Sequence, residues 1–97
     1  MITTTQIFNF YNQKLAKYNC DFFASKSSSG NDRIVILGGN LEIEIEIIKN
    51  NKENISSYII YIHNWGIDKF KQWLFLDDES FLKGLNKIEE EIINSIL

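Results

Sequence analysis

The chain has 97 residues, of which 44% are hydrophobic and 13% are aromatic. This composition argues against disorder, and the length fits one domain, residues 1–97, that folds without a metal or a disulfide. Thirteen acidic side chains outnumber ten basic ones, and the excess lies after residue 39. An acidic field repels phosphate backbones, so the charge argues against direct nucleic-acid binding and favours a basic protein partner.

Cysteine usage and the first residues bear on location. Cys20 is the only cysteine, so it has no internal partner for a disulfide. The sequence Met-Ile-Thr-Thr-Thr has neither the basic nor the apolar region of a signal peptide, and no apolar run reaches the length of a membrane span. We therefore expect a cytoplasmic protein that does not enter a membrane.

The first predicted element is a helix that begins at Thr3 and ends near Asn19. Thr3 and Gln6 have the spacing of a capping box, and Ile2 and Ile7 have the spacing of a hydrophobic staple. An apolar stripe follows at helical spacing, formed by Phe8, Tyr11, Leu15 and Tyr18. The stripe predicts that this helix packs on another layer.

Four strand-like segments come next, at 20–26, 33–38, 41–48 and 55–63, with turn-forming residues between them. They predict a four-stranded antiparallel meander. The third segment alternates strictly, Leu-Glu-Ile-Glu-Ile-Glu-Ile-Ile, which places its apolar side chains on one face and Glu42, Glu44 and Glu46 on the other.

Two turns set the predicted register. A two-residue turn at Gly38-Gly39 would place Ile36 opposite Leu41 and Arg33 opposite Glu44, which leaves Glu42 and Glu46 as the more available carboxylates. If the loop 49–54 pairs Ile48 with Ile55, then Tyr58, Ile60 and Ile62 face the core. The same pairing places Ser57, Ile59, Tyr61 and His63 beside the glutamates on the outer face. Extending the register to the first strand adds Phe22 and Ala24 to this face, beside Val35 and Leu37.

The remaining residues predict two C-terminal helices. Ile67, Phe70, Trp73 and Leu74 have helical spacing, which favours a helix over 67–76, although a strand over 69–76 fits the same short run. Asp77 or Asp78 then caps a final helix whose apolar stripe consists of Phe81, Leu85, Ile88, Ile92 and Ile96. Gly84 lies inside this helix, where we expect close packing to require it. The predicted fold is α+β, a two-layer α/β sandwich with the first and last helices on one face of the meander.

The titratable residues do not form a recognisable catalytic or metal-binding motif. A nucleophilic pair of Cys20 and His63 would have to span opposite edges of the meander. Asp77, Asp78 and Glu79 carry oxygen ligands of the kind that divalent cations prefer, but helix capping accounts for them more simply. We therefore predict that the chain has no catalytic, metal or cofactor site and that it is not an enzyme.

A partner-binding surface is the functional hypothesis that remains. It contains acidic and aromatic side chains, namely Glu42, Glu44, Glu46, Ile59, Tyr61, His63, Trp65, Asp77, Asp78 and Glu79. The leading interpretation is a bacterial immunity protein, a toxin inhibitor that neutralises a basic nuclease-type toxin by occluding its active or substrate-binding site. The alternatives are a phage-type inhibitor of a host defence nuclease and a homodimeric structural or regulatory domain.

Overall fold

The computed structural model describes residues 1–50, 52 and 55–96, without the side chains of residues 55 and 96. It confirms an α+β architecture, with one five-stranded antiparallel sheet and two α-helices. The elements are α1 (Thr4–Phe10) with a following π-turn (Tyr11–Leu15) and 3-10 turn (Ala16–Tyr18), β1 (Asp21–Lys26), β2 (Asp32–Gly38), β3 (Leu41–Asn50), β4 (Ile55–Asn64), β5 (Lys69–Phe75) and α2 (Asp78–Ile96). The strands follow one another across the sheet in chain order.

The capping box predicted at the start of the first helix is confirmed. The Thr3 side chain accepts a hydrogen bond from the Gln6 N–H, and the Gln6 side chain accepts one from the Thr3 N–H, which completes the capping box. Helical structure ends at Asn19, which is left-handed with φ of 59°. Asparagine tolerates this conformation because its short polar side chain bonds locally.

The turn between β2 and β3 lies one residue later than predicted. Gly39, with φ of +55°, and Asn40 form it, so Gly38 is opposite Leu41. The predicted pairing of Ile36 with Leu41 is therefore wrong by two residues, and Ile36 lies opposite Ile43. A shift of two leaves every side chain on its predicted face, because the side-chain period of a strand is two.

The β3–β4 register shows the same kind of error. Asn50, not Ile48, lies opposite Ile55, and part of the predicted loop 49–54 falls outside the described residues. The face assignments nevertheless hold, since the glutamates have outer-face partners on β4, namely His63, Tyr61 and Ile59.

At β1 the predicted faces are wrong. Phe22 lies opposite Ile36 and Ala24 opposite Ile34, so both share the core face, and Phe23 takes the outer face. The reason is a tertiary contact, because the Phe22 ring packs against Phe8 and Tyr11 at centroid distances of 5.0 and 5.2 Å. Two consecutive phenylalanines give no alternation from which the sequence could decide between the faces.

Residues 67–76 do not form a helix. Lys69–Phe75 is the fifth strand, at an edge of the sheet and antiparallel to β4, so the sheet has five strands and one helix follows it. Phe70 and Leu74 lie on the outer face, whereas Trp73 and Phe75 lie on the core face. Apolar side chains on both faces obscure the period of two, which is why helical spacing was misleading here.

Both helices contribute to a single core on one face of the sheet. Buried strand residues on that face are joined by buried apolar side chains from α1, the following π-turn and α2, namely Ile7, Leu15, Phe81, Leu85, Ile88 and Ile92. Helix α2 begins as predicted, because the Asp77 carboxylate accepts a hydrogen bond from the Ser80 N–H at 2.7 Å. Within the described part of the chain, neither helix has the length and apolar character needed to cross a bilayer.

Gly84 is explained by the packing of α2 on β5. It is buried, and a Cβ atom at this position would overlap the ring of Phe75. Glycine costs about 1 kcal/mol relative to alanine inside a helix. Here that cost is offset because it lets the helix lie close to the Phe75 ring, as close packing predicted.

Candidate protein-interaction site

The sheet face opposite the helices, which we call the outer face, carries apolar side chains in contact with solvent. Phe70 is 66% exposed and Leu74 is 61% exposed, and Phe23 and Leu37 on β1 and β2 are also exposed. Scattered exposed apolar residues are ordinary, but a set gathered on one face of a sheet is typical of an interaction surface. This face is the candidate site.

The acidic row, Glu42, Glu44 and Glu46, runs along β3 in the middle of the outer face. All three side chains are half-buried among their neighbours. Carboxylates two residues apart on a strand lie about 7 Å from each other, where repulsion is about 0.6 kcal/mol in water and several-fold larger once water is excluded. An apolar partner alone would therefore leave this row destabilised.

Charge on the outer face is unevenly compensated. Arg33 forms an ion pair with Glu44, as predicted, although the residue directly opposite Arg33 is Glu46. The long arginine side chain reaches the diagonal position, which explains why the pair forms in a different register. The strand residues of this face carry four acidic side chains, including Asp21, and one basic side chain, a net formal charge of −3.

Glu42 and Glu46 have neutral partners. The Trp65 indole N–H donates to Glu42 at 3.1 Å, and the Asn31 amide donates to Glu46 at 3.4 Å. Neither donor removes the negative charge. The two carboxylates thus have neutral hydrogen-bond donors within the protein and no internal counter-charge among the described residues.

An aromatic cluster, formed by Tyr61, His63, Trp65 and Phe70, borders the acidic row. The His63 and Trp65 rings are 3.9 Å apart, and Tyr61 and Phe70 are 5.8 Å apart. His63 is buried, with Nε2 3.1 Å from a carboxylate oxygen of Asp68. Asp68 has φ of 49° in the turn before β5, so local turn geometry places its carboxylate against the histidine.

The structure brings seven predicted site residues together on the outer face or beside it. The six on the face are Glu42, Glu44, Glu46, Ile59, Tyr61 and His63, and a seventh predicted residue, Trp65, lies beside them in the β4–β5 turn. Sequence reasoning missed Phe23, Asp68, Phe70 and Leu74. The strand alternative for 69–76 contained the signal for Phe70 and Leu74, because its alternation places both on the face of Ile59 and His63.

Comparison with known proteins gave no relative. We found no protein-family model, no curated protein and no solved structure with significant similarity to this chain. The chemistry of the site therefore rests on its own geometry.

The acidic residues at the start of α2 do not join the outer face. Asp77 caps the helix, and its hydrogen bonds with Ser80 lower the pKa of its carboxyl group. Asp78 accepts a hydrogen bond from the buried Tyr58 hydroxyl, on the core side, and pairs with the N-terminal ammonium at 2.9 Å. Glu79 pairs with Lys83 along the helix. These carboxylates serve the helix layer, on the other side of the sheet.

Cys20 and His63 are not brought together. Cys20 precedes β1 and packs against Gly38, whereas His63 lies on β4, with β2 and β3 between them. Burial, followed by the charge of Asp21, raises the pKa of the Cys20 thiol, the opposite of what an activated nucleophile needs. Among the described residues, no group of three or more His, Cys, Asp and Glu side chains is arranged to hold a metal ion.

Proposed function

We propose that this chain is a small acidic binding protein of the immunity type, which neutralises a basic nuclease toxin by covering its active or substrate-binding site. The observation that carries the proposal is the outer face, where uncompensated carboxylates lie beside exposed aromatic side chains. Such a toxin surface binds nucleic-acid phosphates, so a fixed row of carboxylates would compete for the same cations.

Charge accounts for the speed and selectivity of the proposed encounter. A net charge of −3 on the strands of the outer face steers a basic surface toward it, and like-charged partners are repelled. Association should be fast at low salt and slower as salt screens the field over about 10 Å. The acidic row alone, three carboxylates on one strand, is short for a mimic of DNA, which favours the immunity-type protein over the phage-type inhibitor.

Apolar anchors supply the affinity in this proposal. Trp65 is 62% exposed although its indole N–H is fixed by Glu42, so the ring is presented with little freedom to lose on binding. Rigid aromatic side chains of this kind dominate the energetics of many interfaces. Phe70 adjoins Tyr61 and His63, which extends the anchor region along the β4–β5 edge.

The first test uses the nuclease toxin encoded beside this gene, if the gene neighbourhood contains one, and two matched double reversals. E42K/E46K changes the outer face, and E79K/E90K makes the same change of charge on exposed α2 positions. We expect E42K/E46K to weaken toxin inhibition and binding more than tenfold at low salt, and E79K/E90K to leave both near the wild-type values. Circular dichroism would verify that both variants fold.

The result would contradict the proposal if E42K/E46K bound as tightly as the wild type. Equal losses in both double variants would also contradict it, because they would show an effect of net charge without a specific face. Loss confined to E79K/E90K would move the contact to the start of α2.

A homodimer through the outer face is the second candidate, and the exposed Phe23, Leu37 and Leu74 favour it because they flank the acidic row with apolar area. Two copies would have to offset their rows of glutamate, with Arg33 as counter-charge. Sedimentation at micromolar concentration separates the candidates. A monomer would exclude the dimer, and a dimer that dissociates only on mutation of these apolar residues would replace the inhibitor proposal.

A further inference from the structure

An open cleft of about 540 Å³ lies where the β4–β5 hairpin meets the C-terminal half of α2. Its apolar part is formed by the buried Leu41 and Ile62 and the exposed Ile67, and its polar part includes Lys69, Lys71 and Glu91. Leu41 and Ile62 point to the helix side of the sheet, so the cleft is separate from the acidic row. The volume is within the range of small-molecule sites, roughly 300–1,000 Å³.

The acceptors that line this cleft are already engaged. Glu91 accepts a hydrogen bond from the exposed Lys71 at 2.6 Å in an ion pair. The other lining carboxylate, Asp68, lies 3.1 Å from the His63 ring nitrogen. Glu91 thus has a cationic partner within the protein, and the exposed Asp68 carboxylate has the His63 ring as its hydrogen-bond partner.

The Lys69 ammonium is different, because it makes no hydrogen bond or ion pair with any described residue. It lines the same cleft as the apolar side chains of Leu41, Ile62 and Ile67. An apolar lining with one free cation matches a ligand that has an apolar body and a single anionic group.

We propose that this cleft binds a small amphipathic carboxylate. The apolar body packs on the buried Leu41 and Ile62 and removes the exposed Ile67 from water, and the carboxylate group accepts hydrogen bonds from the Lys69 ammonium. Lys71 contributes less, since Glu91 already shares its charge. The proposal does not depend on the proposed toxin partner, because the acidic row and Lys69 lie on opposite faces of the sheet. Phe70 and Asp68 line the cleft and also belong to, or contact, the aromatic cluster.

Titration of the full chain with decanoate, followed by amide NMR shifts and calorimetry, tests the ligand class. We expect saturable binding with a dissociation constant at or below about 1 mM, with shifts centred on Ile62, Lys69 and Lys71. Acetate, which has the charge without the apolar body, and decanol, which has the body without the charge, should bind at least about tenfold more weakly. Absence of saturable decanoate binding, or equal binding of decanol, would overturn the proposal.

Two substitutions with opposite expected effects test the residues. K69Q should weaken decanoate binding about fivefold to tenfold, because it removes the free cation. E91Q should strengthen it about threefold, because it releases Lys71 from its internal carboxylate partner. K87Q, at an exposed position on α2, makes the same charge change as K69Q and should leave binding unchanged. Equal effects of K69Q and K87Q, or weaker binding by E91Q, would refute the assignment.

Discussion

Removal of the Tyr58 hydroxyl should strongly destabilise the fold, because this one group makes two hydrogen bonds. Tyr58 is fully buried, its hydroxyl accepts a hydrogen bond from the Ile2 N–H at 2.9 Å, and it donates to Asp78. The ring also stacks on Phe81 at 4.2 Å, a contact that Tyr58→Phe retains. The substitution therefore isolates the two hydrogen bonds from the packing of the ring.

The magnitude follows from what each group loses. The buried Ile2 N–H would be left without its partner, at about 1–3 kcal/mol. The bond to the Asp78 carboxylate is worth about 1 kcal/mol after allowance for the partial exposure of that side chain, 44%. The sum is about 2–4 kcal/mol out of a total stability of about 5–15 kcal/mol. The melting temperature should fall by at least about 8 °C.

Urea unfolding of a double-mutant cycle measures this coupling directly. The cycle comprises the wild type, Y58F, D78A and Y58F/D78A, all followed by circular dichroism. We expect an interaction energy of at least about 0.5 kcal/mol between the two positions. A cycle that closes to zero within error, or a Y58F variant as stable as the wild type, would refute the hydrogen-bond reasoning.

The same network predicts how stability depends on pH. Hydrogen bonding from Tyr58, and then the N-terminal ammonium, lowers the pKa of the Asp78 carboxyl below its ordinary value of 3.8. Its contribution is thus fully present above pH 3.8 and is lost as pH falls through the lowered pKa. Burial, and then the bond to Asp78, raises the pKa of Tyr58 above 10.0, so its contribution is lost as pH rises through that raised value. D78A should lose less stability in acid than the wild type.

Two further substitutions test packing and the outer face. Gly84→Ala should destabilise the fold by about 1 kcal/mol, because overpacking against Phe75 outweighs the gain in helix propensity. Phe75→Leu in the same chain should recover part of that loss, as measured by urea unfolding. A G84A variant more stable than the wild type would contradict the packing explanation. Arg33→Gln should change stability by less than about 1 kcal/mol. It should accelerate association with a basic toxin at low salt, because Glu44 loses its counter-charge. Slower association in stopped-flow measurements would contradict the charge assignment.

Short-range signals predicted the elements that depend only on nearby residues. Thr3 and Gln6 lie three residues apart, and the structure contains the capping box they indicate. The alternation of β3 is equally local, because each side chain alternates face whatever the neighbouring strands do. The stripe of α2, from Phe81 to Ile92, is buried as expected, and its predicted last member, Ile96, lies outside the described side chains.

Several predictions that required distant contacts were wrong. The β2–β3 turn lies at Gly39 and Asn40, where the Asn40 carbonyl accepts a hydrogen bond from the Trp65 N–H across the sheet. Nothing within the Gly38-Gly39 pair indicates that contact. The orientation of Phe22 likewise depends on the position of α1. Registers and faces are set by packing between elements, which a single sequence carries only indirectly.

The candidate site combines both kinds of information. Local alternation predicted the acidic row. Arg33 pairs with Glu44 as predicted although the β2–β3 register differs by two residues from the predicted one, because a long side chain can reach a diagonal position. The aromatic cluster needed the fifth strand, without which Phe70 would not reach Tyr61 and His63. A row of carboxylates alone is typical of a solvated strand face. Beside a fixed indole ring and an exposed phenylalanine it becomes a surface with both the charge to attract a basic partner and the apolar area to hold it.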